Sequence, residues 1–151
     1  MRRFFYGGNA MNKLVASAVF DSAHFLSGYN GKCANIHGHR WTVRVTVCGD
    51  ELIDTGEKRG MLIDFADLKA AVRALADRLD HTLIYEKDSL KAATLAAFDD
   101  EGFDLTEVPF RPTAENFAKF FFDELRSGGL EVCTVEVFET PDNCAVYEVD
   151  K

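Results

Sequence analysis

A chain of 151 residues, 47% hydrophobic and 28% charged, has the composition of one ordinary globular domain able to bury a substantial core. Its formal charge of −8 argues against nucleic-acid coating, which needs a basic face, and no apolar run approaches the length of a membrane span. The cysteines (Cys33, Cys48, Cys133 and Cys144) form no CxxC pair and the opening residues make a poor secretory signal, so reduced thiols in the cytoplasm are expected.

Residues 1–13 read as a loose leader, and residues 14–151 as a single domain. Residues 14–24 alternate with apolar positions on both faces, which predicts a strand covered on both sides. Turn chemistry at residues 27–32 sends the chain back into a second strand over residues 39–49. There Trp41, Val43, Val45 and Val47 share one face, the clearest two-residue period in the chain, and a first antiparallel pair follows. After a polar loop, Asp64 is placed to cap a helix with Asp67 in its first turn and Phe65, Leu68, Val72, Leu75 and Leu79 along one stripe. That helix ends near Leu79 and delivers Asp80-His81 at its edge. Residues 82–111 form an extended connection, with a short alanine-rich helix over residues 89–98 and an extended piece at 106–110. Thr113 caps the next helix, with Glu115 in its first turn, a stripe of Phe117, Phe120, Phe121 and Leu125, and Gly128-Gly129 as its stop. Two more strands, residues 131–139 and 145–149, are joined by a turn at Pro141-Asp142-Asn143. The sum is an α+β chain with four antiparallel strands and helices on one face.

The chemistry gathers at Cys33-Ala-Asn-Ile-His37-Gly-His39. Alternate residues of a strand face one way, so His37 and His39 aim together, and His24 on the neighbouring strand supplies a third imidazole. Three histidines with a fourth position open is the set that catalytic zinc prefers. An isolated histidine is more often a satisfied core residue, and it is the three across one hairpin that favour a metal. Cys33 hangs over this set either as a base or nucleophile, or as a fourth ligand that would close a purely structural site. Asp80-His81 reads equally as a helix end that favours a cation or as a proton relay. Glu139 ends an apolar strand face, where it is a solvated terminus or a carboxylate ready for paired N–H donors of a guanidine-like heterocycle.

Together, Phe20-Asp-Ser-Ala-His24, the Cys33–His39 motif, Gly60-Met-Leu-Ile-Asp64-Phe65, Leu79-Asp80-His81, Pro112-Thr113-Ala-Glu115-Asn116 and Glu139-Thr140 resemble, in order, the 6-pyruvoyl-tetrahydropterin synthases and their bacterial relatives, the 6-carboxy-5,6,7,8-tetrahydropterin synthases. The resemblance spans residue 14 to the C-terminus. It implies the tunnelling fold, in which sheets of several subunits join into a β-barrel with active sites between subunits, hence a homo-oligomer. It implies Zn2+ on His24, His37 and His39, Cys33 as general base, Asp80-His81 as a relay reaching in from a neighbouring subunit, and Glu139 as the pterin anchor, with Thr113 and Glu115 near the pterin pocket. The implied substrate is 7,8-dihydroneopterin triphosphate. The favoured product is 6-carboxy-5,6,7,8-tetrahydropterin, with acetaldehyde and triphosphate released, as used in queuosine synthesis. The pyruvoyl product and a non-catalytic zinc- or pterin-binding oligomer are the alternatives. Lys32, Arg40 and Lys119 are candidates to hold the triphosphate. The long 82–111 segment and the leader depart from the family pattern.

Overall fold

The computed structural model describes residues 11–149. Two strands of equal length, β1 (Asn12–His24) and β2 (His37–Gly49), form a long antiparallel hairpin whose register runs from Asn12 opposite Gly49 to His24 opposite His37. β1 thus starts two residues inside the expected leader; the leader's residues 1–10 lie outside the described residues. Helix α1 (Phe65–Asp77) follows, capped by Asp64, whose carboxylate accepts from Ala66 N at 2.7 Å. Next come β3 (Leu83–Glu86), α2 (Ala92–Asp100) and β4 (Leu105–Val108). Helix α3 (Ala114–Ser127) is capped by Thr113, and β5 (Val132–Thr140) and β6 (Asn143–Glu148) close the chain.

These strands make a six-stranded mixed sheet in the order β4-β3-β1-β2-β5-β6, not the expected four-stranded antiparallel one. The expected core is present as β1, β2, β5 and β6, all antiparallel neighbours. The additional strands come from the 82–111 connection. They are too short to show a two-residue period, and they pair parallel through the α2 crossover, which local turn signals cannot announce. β3 meets β1 only at Ala23 and His24.

Helices α1 and α3 cover one sheet face. Between them and the sheet, Phe20 stacks on Trp41 with ring centroids 5.9 Å apart, and Phe117 meets Trp41 edge-on at 5.0 Å. Val43, Val45, Val135 and Val137 fill the sheet side and Leu68, Val72, Phe121 and Leu125 the helix side. Helix α2 has no buried residue and stands apart from this core. The opposite face of β1 is left open among the described residues: Val15 and Val19 are 46% and 45% exposed, against the expectation of a strand buried on both sides. Apolar alternation reports where a side chain can be buried, and these two valines find no such cover among the described residues.

Phe117 is fully buried at the junction of Phe20, Trp41 and Phe110. Phe117→Ala is therefore expected to lower the unfolding free energy by ~3–5 kcal/mol in a urea titration. A loss under ~1 kcal/mol would mean that the aromatic cluster closes over the gap and is not the packing centre.

Candidate functional site

The hairpin's last pair, His24 and His37, and the neighbouring His39 place three imidazoles together. One nitrogen of each lies within 4.8 Å of the others. His24 Nδ1–H donates to the Pro112 carbonyl at 2.7 Å, and His37 Nδ1–H donates to the Asn35 carbonyl at 2.7 Å. Carbonyl oxygens can only accept, so both rings hold their proton on Nδ1 and turn a bare Nε2 inward in the neutral form. Those two Nε2 atoms are 3.1 Å apart, and the Nε2 of His39 is buried with no hydrogen-bond partner among the described residues.

The two inward lone pairs of His24 and His37 repel at this spacing unless a cation lies between them, and the unpartnered His39 Nε2 sits beside them. Neutral imidazoles suit a divalent metal, and for His24 and His37 the other nitrogen is fixed to a carbonyl. The residues fit such an ion on their own chemistry. Glu139 adds negative charge, its Oε1 lying 3.5 Å from His24 Nε2 and 3.6 Å from His39 Nε2. Burial pushes the His24 pKa down from 6.5 to about 4, helped by His37 and His39 and opposed by the Pro112 carbonyl. For His39 the burial penalty also outweighs the pull of Glu139, and the pKa is lowered. At neutral pH the two rings are thus held in the ligating form.

Cys33 sits on a single 3-10 turn (Lys32–Ala34) in the loop that feeds β2. It is half-buried, and it is not among the ligand atoms that cluster with the histidines. It does line one cavity of about 590 Å3 together with His24, Tyr29, Thr113, Glu115 and Glu139. Thr113 spends its hydroxyl on the cap of α3, accepting from Asn116 N at 3.4 Å.

Asp80 and His81 do not join Cys33 within one chain. They are tied to β1: Asp80 Oδ1 accepts from Asp21 N at 2.7 Å, and His81 N donates to the Asp21 carbonyl at 2.6 Å. The His81 ring donates from Nδ1 to Asp80 Oδ2 at 2.8 Å. The backbone bond from Asp21, followed by that from His81, holds the Asp80 carboxyl below the usual range. His81 adopts a φ of 58°, a left-handed conformation that a non-glycine residue takes only under constraint. Its ring is exposed and lines a second cavity of about 620 Å3, with Arg40, Ala23, Phe98 and Phe103. Ala23 and Arg40 have the strand parity opposite to His24 and His39, yet Ser22 and His39 line this cavity as well, so it reaches residues of both parities and one member of the imidazole cluster.

Of the proposed phosphate holders, Lys32 is beside Cys33 and Arg40 is beside His81, paired with Asp21 at 3.4 Å. Lys119 lines neither cavity and is bonded to Asp123 one turn along α3. Sequence reasoning missed the carbonyls of Asn35 and Pro112 and the backbone of Asp21, because main-chain groups carry no residue-type signal. It also missed Arg111, whose contact with the Cys33 loop joins residues far apart in sequence.

In the metal-free protein the His24 shift has a definite sign. Between pH 6.5 and about 4 the unfolded chain takes up a proton that the folded ring refuses, so stability falls as pH drops through that window. The loss expected from this ring is up to ~3 kcal/mol, read from chemical unfolding in the presence of chelator. His24→Asn should show a smaller loss over the same range, and parallel curves for the two proteins would assign the titration elsewhere.

Residues 13–150 match the sequence family described as 6-pyruvoyl tetrahydropterin synthase. Among curated proteins, the 6-carboxy-5,6,7,8-tetrahydropterin synthase of Haemophilus influenzae is 38% identical over 91% of this chain and 99% of its own length. Its Synechocystis counterpart is 35% identical over 85% of this chain and 86% of its own. Among solved structures, an uncharacterized protein of Wolinella succinogenes superposes with a TM-score of 0.77 at 24% identity, covering 93% of this chain and 99% of that one. The 6-pyruvoyl tetrahydropterin synthase of Plasmodium falciparum gives 0.68 at 20% identity, covering 92% and 98%, a likeness of fold.

Proposed function

The chain belongs to the 6-pyruvoyl tetrahydropterin synthase family, and on that premise we propose that it converts 7,8-dihydroneopterin triphosphate to 6-carboxy-5,6,7,8-tetrahydropterin, releasing acetaldehyde and triphosphate, in the synthesis of queuosine and related 7-deazapurines. What carries the carboxy product over the pyruvoyl one is the Haemophilus relative of that name, matched along 99% of its length. His24, His37 and His39 hold Zn2+ in this reading, supported by their inward Nε2 atoms. The ion, when bound, supplies Lewis acidity toward the substrate's side-chain hydroxyls.

The remaining work falls to the chain. Glu139 holds the pterin ring through paired N–H donors, and Thr113 and Glu115 border the same cavity. Cys33, in that cavity but outside the imidazole cluster, takes a proton from the substrate side chain. Asp80 orients His81, which moves a second proton from a neighbouring subunit, in keeping with its sharing no cavity with Cys33 of its own chain. The protein is accordingly a cytoplasmic homo-oligomer whose subunits join into a β-barrel, and Val15 and Val19 lie on the face left open for that assembly.

Incubation with 7,8-dihydroneopterin triphosphate should yield acetaldehyde and 6-carboxy-5,6,7,8-tetrahydropterin, identified by mass. A pyruvoyl product would move the chain to the other branch, and no product at all would overturn the enzymatic reading. Cys33→Ala should lower kcat by about 10²–10⁴ while zinc content and melting temperature stay near wild type. Loss of zinc and stability in that variant would mark a structural site of one cysteine and three histidines instead.

A further inference from the structure

The segment joining β4 to α3 reaches two parts of the site, the His24 ring and the loop that carries Cys33. The Pro112 carbonyl fixes the His24 ring, and Thr113 caps α3. The Arg111 carbonyl accepts from Asn116 Nδ2 at 2.9 Å and from Thr113 N at 2.8 Å. These bonds hold Arg111 in one place, and Pro112 after it keeps its backbone extended. From there its side chain leaves the segment and crosses to the loop of residues 25–36.

That loop is mostly exposed, and its own bonds are short-range. Leu26 N donates to the Cys33 carbonyl at 2.8 Å, Tyr29 N to Leu26 at 3.2 Å and Ala34 N to Gly31 at 3.1 Å. Such a segment opens at low free energy unless something distant holds it. Arg111 reaches it at two points. Its Nη2 donates to the Ser27 carbonyl at 2.8 Å, and its guanidinium lies 6.0 Å from the centre of the Tyr29 ring. The Tyr29 ring in turn lies on Gly31, where a Cβ would come within 2.5 Å of it. Gly31 is the residue before the turn that carries Cys33. A chain of contacts therefore runs from the Pro112 segment that orients His24, through Arg111 and Tyr29, to the Cys33 turn.

We propose that Arg111 is a positioning residue: it tethers the 25–36 loop to the segment that orients His24 and so fixes Cys33 relative to the imidazole cluster. Neither Cys33 nor His24 touches it, and its effect is transmitted through Ser27 and Tyr29. Lysine is a poor substitute, because a single ammonium can reach the Ser27 carbonyl but cannot at the same time lay a planar group over Tyr29. The catalytic consequence rests on the proposed function, whereas the tether itself does not.

The test compares full-length wild type, Arg111→Met and Arg111→Lys. In Arg111→Met, amide exchange over residues 26–35 and iodoacetamide labelling of Cys33, resolved by peptide mass, should each rise about tenfold, the order expected for losing a hydrogen bond from a charged donor. Cys144, exposed on β6, is the internal reference and should label at an unchanged rate. In turnover, kcat should fall about tenfold while KM stays within about twofold, with zinc content unchanged. Arg111→Lys should fall between the two in every measurement, and it carries the test if Arg111→Met does not fold. Unchanged exchange and labelling in both variants would overturn the tether, whatever kcat does. Faster Cys33 labelling in a protein that shows no turnover even as wild type would support the tether and overturn the proposed reaction.

Discussion

The antiparallel register of β1 and β2 is the constraint on which the site depends. Over thirteen paired positions each inward residue of one strand is set opposite one of the other, and the last pair is His24 with His37. A slip of one residue would turn His24 and its partners to the uncovered side and expose Phe20, Trp41 and the valines. The same hydrophobic burial that chooses the register therefore places the imidazoles. Core packing and ligand placement are one event here, because Phe20 and Trp41 are the adjoining pair on that face.

Two opposing terms set the state of the cluster. Burial favours neutral rings, and the Glu139 carboxylate favours charged ones. Burial wins for both rings, over the Pro112 carbonyl at His24 and over Glu139 at His39, and leaves both neutral. That balance suits a bound dication, since a protonated cluster would repel it. The carbonyls of Asn35 and Pro112 complete the arrangement by choosing which nitrogen of His37 and His24 faces inward.

The two cavities divide the expected catalytic groups. Cys33, Glu139, Thr113 and Glu115 share the cavity that His24 lines, whereas His81 shares a second cavity with His39. The Asp80–His81 pair is nonetheless built with care: both carboxylate oxygens are bonded, and the backbone of His81 is held in a conformation that needs support.

The sequence by itself determined the elements whose signals are local and repetitive. The two-residue period of Trp41 to Val47 defined β2, and Asp64 and Thr113 marked the helix starts at the residues that cap them. Strand parity was enough to gather His24, His37 and His39. Only the tertiary structure decided what depends on contacts between distant segments. The β3–β4 pair is parallel and four residues per strand, too short for any period to show, so the sheet has six strands. Val15 and Val19 carry the same apolar signal as a buried face, yet nothing among the described residues covers them. The carbonyl of Pro112 and the guanidinium of Arg111 act on the site across more than eighty intervening residues. No spacing rule could foresee these bonds, because a main-chain oxygen is the same at every position and a long side chain is aimed by the fold around it.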